Sequence, residues 1–390
     1  MQYDFDEIID RSGTYSLKHE YARAVNPLLP ADAVQLWVAD MDFACPPPIL
    51  AAMRRRLDRR ILGYTVTDAL SGYGDAVCGW MRRRYGWAVQ PEQLLFSDGV
   101  VSALYAAVER LTKPGDEVLL LTPAYHPFHD AILHYGRTPL LCHMHNDSGH
   151  FTVDWDDLAA KAARASCTLC FFCNPQNPTG RVFTEAELKR AGDILFGNDV
   201  FVVCDEIHAD LLRAGQTHTP LAKLFPNEKR ILTCTAPSKT FNIAGNRHAN
   251  LVIPDPSVYD DWAENALLGH PGALTVEAVI AAYGDPASEE WLTQLCAYLD
   301  GNFAMMRSLL AERLPKVVFR IPEGTYLGWV DLSAYGLPEE TLNERASKAG
   351  VFVQFGKDFV DNADCFARIN AACPRSVLRE GLTRLASAIG

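Results

Sequence analysis

Residues 168–180 read TLCFFCNPQNPTG, an apolar run that stops abruptly at amides, prolines and a glycine. A short run with no polar alternation is the mark of a strand covered on both faces. The pattern recurs on either side of it. LLFS (Leu94–Ser97), EVLLL (Glu117–Leu121), TPLLC (Thr138–Cys142), VFVVC (Val200–Cys204), ILTCT (Ile231–Thr235) and NLVI (Asn250–Ile253) read the same way. Helical spacing fills the gaps: Val100, Val101, Leu104, Ala107, Val108 and Leu111 come after the first run, and Thr184 with Glu187 forms a capping box before a later helix. Buried strands separated by helices predict an α/β fold with a largely parallel central sheet flanked by helices.

The texture changes after about residue 290. A long helical pattern covers Glu290 to Leu314, and shorter strands come next at Val317–Ile321, Tyr326–Asp331, Val351–Gln354 and Ala367–Asn370 before a last helix, Ser376–Ile389. The division expected is an N-terminal segment, 1–45, that wraps across the body and packs with the small domain, a large domain, 46–289, and a smaller α/β C-terminal domain, 290–390.

The 390 residues carry a net charge of −12, which argues against nucleic acid as a partner because phosphate binding needs a basic face. The arginine groups Arg54–Arg60 and Arg82–Arg84 lie in helix-like stretches and read as solvated helix faces. No basic segment leads into an apolar stretch at the N-terminus, and no apolar run approaches the ~18 residues of a membrane span. Eleven cysteines in such a chain point to reduced thiols and a cytoplasmic location. Cys167, Cys170 and Cys173 recur every three residues, but that spacing in a strand places neighbours on opposite faces, so buried filler is expected and no metal site.

Ligands of an open parallel sheet sit at the carboxyl ends of its strands. The residues just past the runs are, in chain order, Asp98-Gly99 and a helix start, Pro123-Ala124-Tyr125, the loop bearing Asn177, Asp205-Glu206-Ile207-His208, and Ala236-Pro237-Ser238-Lys239. Each has an ordinary reading alone: a tight turn, a helix cap, a surface lysine. Together they bring an anion-binding helix terminus, an aromatic ring, an amide, a carboxylate and an amine to one edge. Gly99 allows close approach to the free N–H groups of the helix that begins near Val100. Asp205, ending a buried strand, needs a cationic or hydrogen-bonding partner. Lys239, if desolvated, becomes a usable nucleophile and base. A phosphate, a pyridine nitrogen, a phenolic oxygen and an aldehyde are what such a set would hold, which describes pyridoxal 5′-phosphate (PLP).

NPQNPTG, DEIHAD (Asp205–Asp210) and SKTFNIAG (Ser238–Gly245) resemble the fold-type I PLP-dependent enzymes of the aminotransferase class I/II superfamily. WVADMDF (Trp37–Phe43), GYT (Gly63–Thr65), DGVVSAL (Asp98–Leu104), TPAYHPF (Thr122–Phe128) and RINAACPR (Arg368–Arg375) resemble its cystathionine β-lyase, or carbon–sulfur lyase, branch. The resemblance implies a PLP-dependent transferase-like fold. It assigns Lys239 to the covalent link with the cofactor, Asp205 to the pyridine nitrogen, Asn177 to the ring hydroxyl oxygen and Tyr125 to stacking on the ring. Gly99, Val100, Val101 and Ser238 would surround the phosphate. Tyr64 would reach the phosphate of a neighbouring subunit, implying a homodimer with shared sites. Arg368 would pair with the substrate carboxylate. His208 stands where aminotransferases usually carry Tyr, as in the lyase branch, and would orient Asp205. Two departures stand out: Ala236 replaces a serine that often binds phosphate, and Arg247, eight residues past Lys239, would offset it within the unusual segment Asn246-Arg247-His248.

The activity implied is α,β-elimination of an S-substituted cysteine to pyruvate, ammonia and a thiol, with a small sulfur amino acid as the partner. Transfer of the amino group to a 2-oxo acid, using the same residues, is the alternative. A regulatory protein that keeps the fold and uses PLP only structurally is a third reading, at odds with the intact set of Lys239, Asp205, Asn177, Tyr125 and Arg368.

Overall fold

The structure is a computed structural model that describes residues 2–67 and 71–390. Its main sheet has seven strands: β1 (Leu94–Ser97), β2 (Glu117–Thr122), β3 (Thr138–His143), β4 (Cys167–Cys173), β5 (Phe201–Asp205), β6 (Ile231–Thr235) and β7 (Ala249–Val252). They lie in the order β1-β7-β6-β5-β4-β2-β3. The chain thus runs outward to one edge through β2 and β3, then returns through the middle. Neighbouring pairs are parallel except at β7, which is antiparallel to both β6 and β1. The reason for the reversal is local. A parallel pair needs a crossover element, and the segment from β6 to β7 holds only the one-turn helix Pro237–Thr240 and a 3-10 turn, Ala244–Asn246.

Both faces of the sheet are dry. All six residues of β2 are buried. Leu119, Leu121, Phe172 and Val202 join one apolar cluster, and Val118, Leu120, Phe171 and Val203 join the other. With both faces covered in this period-two alternation, the runs are mostly apolar, and polar residues such as Thr233 and Asn250 are themselves buried. One expectation fails here. Cys167 and Cys170 lie in the same cluster, because the β2–β4 register slips between Glu117 and Val118 and leaves Thr168 as an extra residue. Cys170 and Cys173 do face opposite sides.

Helix α1 (Val100–Leu111) comes after β1, and α2 (His126–His134) after the short strand Ala124–Tyr125. The long helix α3 (Pro286–Arg313) leads into a four-stranded antiparallel sheet of β8 (Val318–Phe319), β9 (Leu327–Asp331), β10 (Gln354–Phe355) and β11 (Phe366–Asn370), ordered β8-β9-β11-β10. The capping box before Glu185–Gly197 is present, with both Thr184 and Glu187 engaged. Near the N-terminus, Val34–Gln35 pairs in parallel with Val351–Phe352 as a separate two-stranded sheet, which ties the leading segment to the chain just before β10. Among the described residues no helix is long and apolar enough to cross a membrane.

The loop after β4 is held rigidly. Gly180 has φ +71°, and its carbonyl accepts from the Gly324 amide at 2.9 Å. A Cβ added there would stand 2.2 Å from Cβ of Pro322. Left-handed backbone and overpacking both oppose a side chain. Gly180→Ala is therefore expected to lower unfolding stability by about 3 kcal/mol in denaturant titration; an unchanged midpoint would show that the loop yields freely.

Candidate active site

The carboxyl edge of the main sheet opens into a cleft of about 460 Å³. That is the size of a small-ligand site. Gly99, Val100, Val101, Tyr125, Asn177, Asp205, His208, Ser238, Lys239, Arg247 and Arg368 all line it. Of the residues singled out by sequence, Tyr64 alone lies elsewhere, fully exposed on the surface.

Asp205 is the last residue of β5 and is buried. Its carboxylate accepts one hydrogen bond, from the Ile207 amide at 3.1 Å. Burial pushes its pKa up to about 6, against which that amide and the Lys239 amine act only in part. Lys239, on the one-turn helix after β6, donates from Nζ to the Ala39 carbonyl at 2.8 Å. Burial brings its pKa down to about 8, helped by the Arg368 guanidinium and opposed by Asp40 and Asp205. About a tenth of the amine is thus unprotonated at pH 7, far more than for an ordinary lysine. The lysine's loop is anchored from below, because Thr240 donates to Asp210 at 2.9 Å and Asp210 also accepts from Trp80 and Tyr85. Asp210 ends the DEIHAD stretch, so one short segment supplies both the cleft carboxylate and the anchor.

The helix α1 begins at Val100, with Gly99 as N-cap and no side-chain cap. Its first N–H groups therefore point into the cleft as an anion site. A Cβ on Gly99 would meet nothing within 4 Å, so the approach is open. At this end Arg247 pairs with Asp98 at 3.1 Å, and Asp98 also accepts from Ser102 at 2.7 Å.

Arg368, on β11, is buried, and burial brings its pKa down to about 10. It donates from Nη1 to Oδ1 of Asn177 at 3.0 Å, and from Nη2 to the Trp37 carbonyl at 3.1 Å and to Oε1 of Gln354. Its Nε has no partner. Asn177 thereby spends its oxygen on Arg368, and among the described residues its Nδ2 donor has no acceptor. No hydrogen bond joins His208 to Asp205 among the described residues. His208 instead lies edge-on to Tyr326, with ring centroids 5.9 Å apart, and its buried Nδ1 is unpartnered. Burial takes the His208 pKa down to about 3, so the ring is neutral. The expected orienting role is corrected on this geometry.

Sequence reading missed several features. Gln354 is the cross-strand neighbour of Arg368. Asn242 grips the Met41 amide and the Met41 and Phe43 carbonyls, and Asn370 donates to the Val38 and Asp40 carbonyls. Together they hold residues 37–43 as a strap across the cleft. The buried Lys18 pins the same strap through Asp42 at 2.8 Å. His248 also lines the cleft, while its Nε2 meets the buried Tyr73 hydroxyl at 2.5 Å. The segments WVADMDF, SKTFNIAG and RINAACPR contain the strap and both asparagines, so the signal was present without its geometry.

A desolvated amine and a carboxylate at adjacent strand ends, an open helix terminus and a buried guanidinium define a site for an amino acid and an anionic aromatic cofactor. The model of the aminotransferase class I and II family matches residues 31–385, and the chain belongs to that family. Cystathionine beta-lyase PatB of Bacillus subtilis is 39% identical over 393 residues, covering 99% of this chain and 100% of that protein. A PLP-bound C–S lyase from Staphylococcus hominis, complexed with L-cycloserine, superposes with a TM-score of 0.95 at 38% identity, covering 100% of this chain and 99% of that one. Cystalysin from Treponema denticola, which contains pyridoxal 5′-phosphate, superposes with a TM-score of 0.95 at 34% identity, covering 100% and 99%.

The raised pKa of Asp205 has a measurable consequence in protein stripped of any cofactor. A carboxyl whose folded pKa, about 6, exceeds its ordinary 3.8 stabilises the fold fully below pH 3.8 and loses that contribution as pH rises through 6. The loss amounts to about 3 kcal/mol. Asp205→Asn keeps the shape and removes the charge, so it should raise the melting temperature of the stripped protein at pH 7 and flatten its dependence between pH 4 and about 6. A variant less stable than the parent at pH 7 would show that the carboxylate is not strained by burial.

Proposed function

We propose that this chain is a PLP-dependent carbon–sulfur β-lyase of the cystathionine β-lyase type, eliminating a thiol from S-substituted cysteines to leave pyruvate and ammonia. The observation that carries the reading is the meeting of Lys239, Asp205 and Arg368 in one cleft, in a chain similar from end to end to C–S lyases.

The residues fit the cofactor. Asp205 is a buried carboxylate short of a cation, and a protonated pyridine nitrogen supplies one. The free Nδ2 of Asn177 suits the ring oxygen, and Tyr125 the ring face. The α1 terminus at Gly99, Val100 and Val101, with Ser238 and Arg247, suits the phosphate. Arg247 is a cation at the end where Ala236 offers no hydroxyl.

Bound PLP supplies an aldehyde that captures the substrate amine and a ring that takes up the electron pair left at Cα. The rest is the work of the chain. Asp205 holds the proton on the ring nitrogen and so keeps the ring electron-withdrawing. Arg368 binds the substrate carboxylate as a fixed fork, its geometry set by Gln354, Asn177 and the Trp37 carbonyl. Lys239, released by the substrate amine, takes the Cα proton as a base whose lowered pKa suits neutral conditions. The sulfur leaves with the bonding pair of the broken C–S bond and takes up a proton as the thiol, and the aminoacrylate that remains is released and hydrolysed by one water to pyruvate and ammonia.

Incubation with cystathionine and no 2-oxo acid tests this reading. Pyruvate and free thiol in equal amounts are expected; amino transfer to an added 2-oxo acid without thiol release would establish the aminotransferase alternative. Binding of PLP with no turnover on any sulfur amino acid would favour a regulatory protein. Lys239→Ala should abolish turnover. Arg368→Ala should raise KM by a factor equivalent to about 2–4 kcal/mol with a smaller effect on kcat, and an unchanged KM would remove Arg368 from the substrate site.

A homodimer with shared sites is part of the same proposal. Ile61, Leu62, Tyr64 and Val66 are exposed in a segment tethered by Thr65 to the Pro271 carbonyl at 2.5 Å. Such a run of uncovered apolar side chains favours burial against another copy. A second cavity beside Leu62 shares Asp98 and Arg247 with the cleft, giving a neighbour access to the phosphate end. Sedimentation should return twice the mass of one chain, and Tyr64→Ala should keep that mass while weakening PLP retention. A monomer at working concentration would end this part of the reading. A cytoplasmic setting is supported by eleven cysteines, all unpaired. The division into 1–45, 46–289 and 290–390 is proposed on the two sheets and on the Val34–Val351 pairing, with its second boundary inside the first turns of α3.

A further inference from the structure

Two histidines and an aspartate on α2 take no part in the cleft. His126, His129 and Asp130 are spaced i, i+3 and i+4, which stacks their side chains on one helical face. One ligand atom from each lies within 4.8 Å of the other two. Nδ1 of His126 is 2.9 Å from Oδ2 of Asp130, and the two imidazole centroids are 6.0 Å apart.

We propose that His126, His129 and Asp130 bind one divalent transition-metal ion of the zinc, nickel or cobalt kind. Two imidazoles and a carboxylate form a borderline donor set, which favours such ions over magnesium or calcium, whose sites are built from oxygen. Metal–ligand bonds of about 2.0–2.2 Å require only a modest contraction of the three atoms. Three protein ligands leave a coordination position for water or an added ligand.

The surroundings help. The ordinary reading of His126 and Asp130 is a helix-surface pair worth a few tenths of a kcal/mol, and it leaves the neighbouring His129 without a purpose. The half-buried Asp358 lies close enough to His126 to interact with it electrostatically. The three residues do not line the cleft, yet His126 is the residue directly after Tyr125, so an ion there would sit at the cleft's border.

Calorimetric titration of the PLP-loaded enzyme with zinc in a non-chelating buffer tests the proposal, with magnesium as the control. One ion per chain at micromolar affinity is expected, and no saturable heat from magnesium. His129→Ala and Asp130→Asn should each weaken zinc binding by at least about tenfold while the PLP absorbance and circular dichroism stay those of the parent. Should His129→Ala fail to fold, Asp130→Asn, a surface change of equal size, carries the test. Zinc binding unchanged in a folded variant would place the ion on other histidines or thiols and overturn the assignment. So would the absence of saturation, or equal binding of magnesium.

Discussion

A carboxylate held out of water with a single amide for company is the constraint on which this architecture turns. Asp205 stands at the end of β5 in a sheet covered on both faces, and burial leaves its carboxylate short of a cation. Lys239 is the matching case: an amine in the same dry space, kept from full protonation by burial. Neither group would have its character on a surface strand. The wholly apolar strands, the two clusters that cover them and the chemistry at their ends are therefore one design. The sheet supplies low dielectric, and low dielectric raises the pKa of Asp205 and lowers that of Lys239.

The strap at residues 37–43 joins the two halves of the site. Asn242 holds it from the main sheet's side, and Asn370 from β11. Its carbonyls at Trp37 and Ala39 receive Arg368 and Lys239. The cleft's guanidinium and its amine are thus fixed to the same few residues of backbone. A displacement of the strap shifts both together, which preserves their separation.

Most of this architecture is legible in the sequence. Strand boundaries at Leu94–Ser97 and Ile231–Thr235 match the mostly apolar runs read from the sequence, because strands covered on both faces carry few polar residues and no charge along their middle. The strand ends then point to the cleft, since chemistry in this topology collects at one edge. What could not be read has physical reasons. The Ala39 carbonyl is backbone and leaves no mark in the sequence. Its bond to Lys239 spans 200 residues, and that of Trp37 to Arg368 spans 331. The reversed β7 results from a connection too poor in helix to cross over, a matter of what is missing between two runs. The slip at Thr168 put Cys167 and Cys170 on one face, against strict alternation, because a single unpaired residue is invisible to period counting. His208 beside Asp205 in sequence suggested contact, and the turn between them carries the imidazole to Tyr326 instead.

One detail of the strap bears on how the lysine can serve two tasks. The Ala39 oxygen receives the Tyr326 hydroxyl at 2.9 Å as well as the Lys239 amine. When the amine swings away, the oxygen keeps its phenol and is never left bare in the interior. The berth is therefore satisfied with or without the lysine, and leaving it strands no buried acceptor.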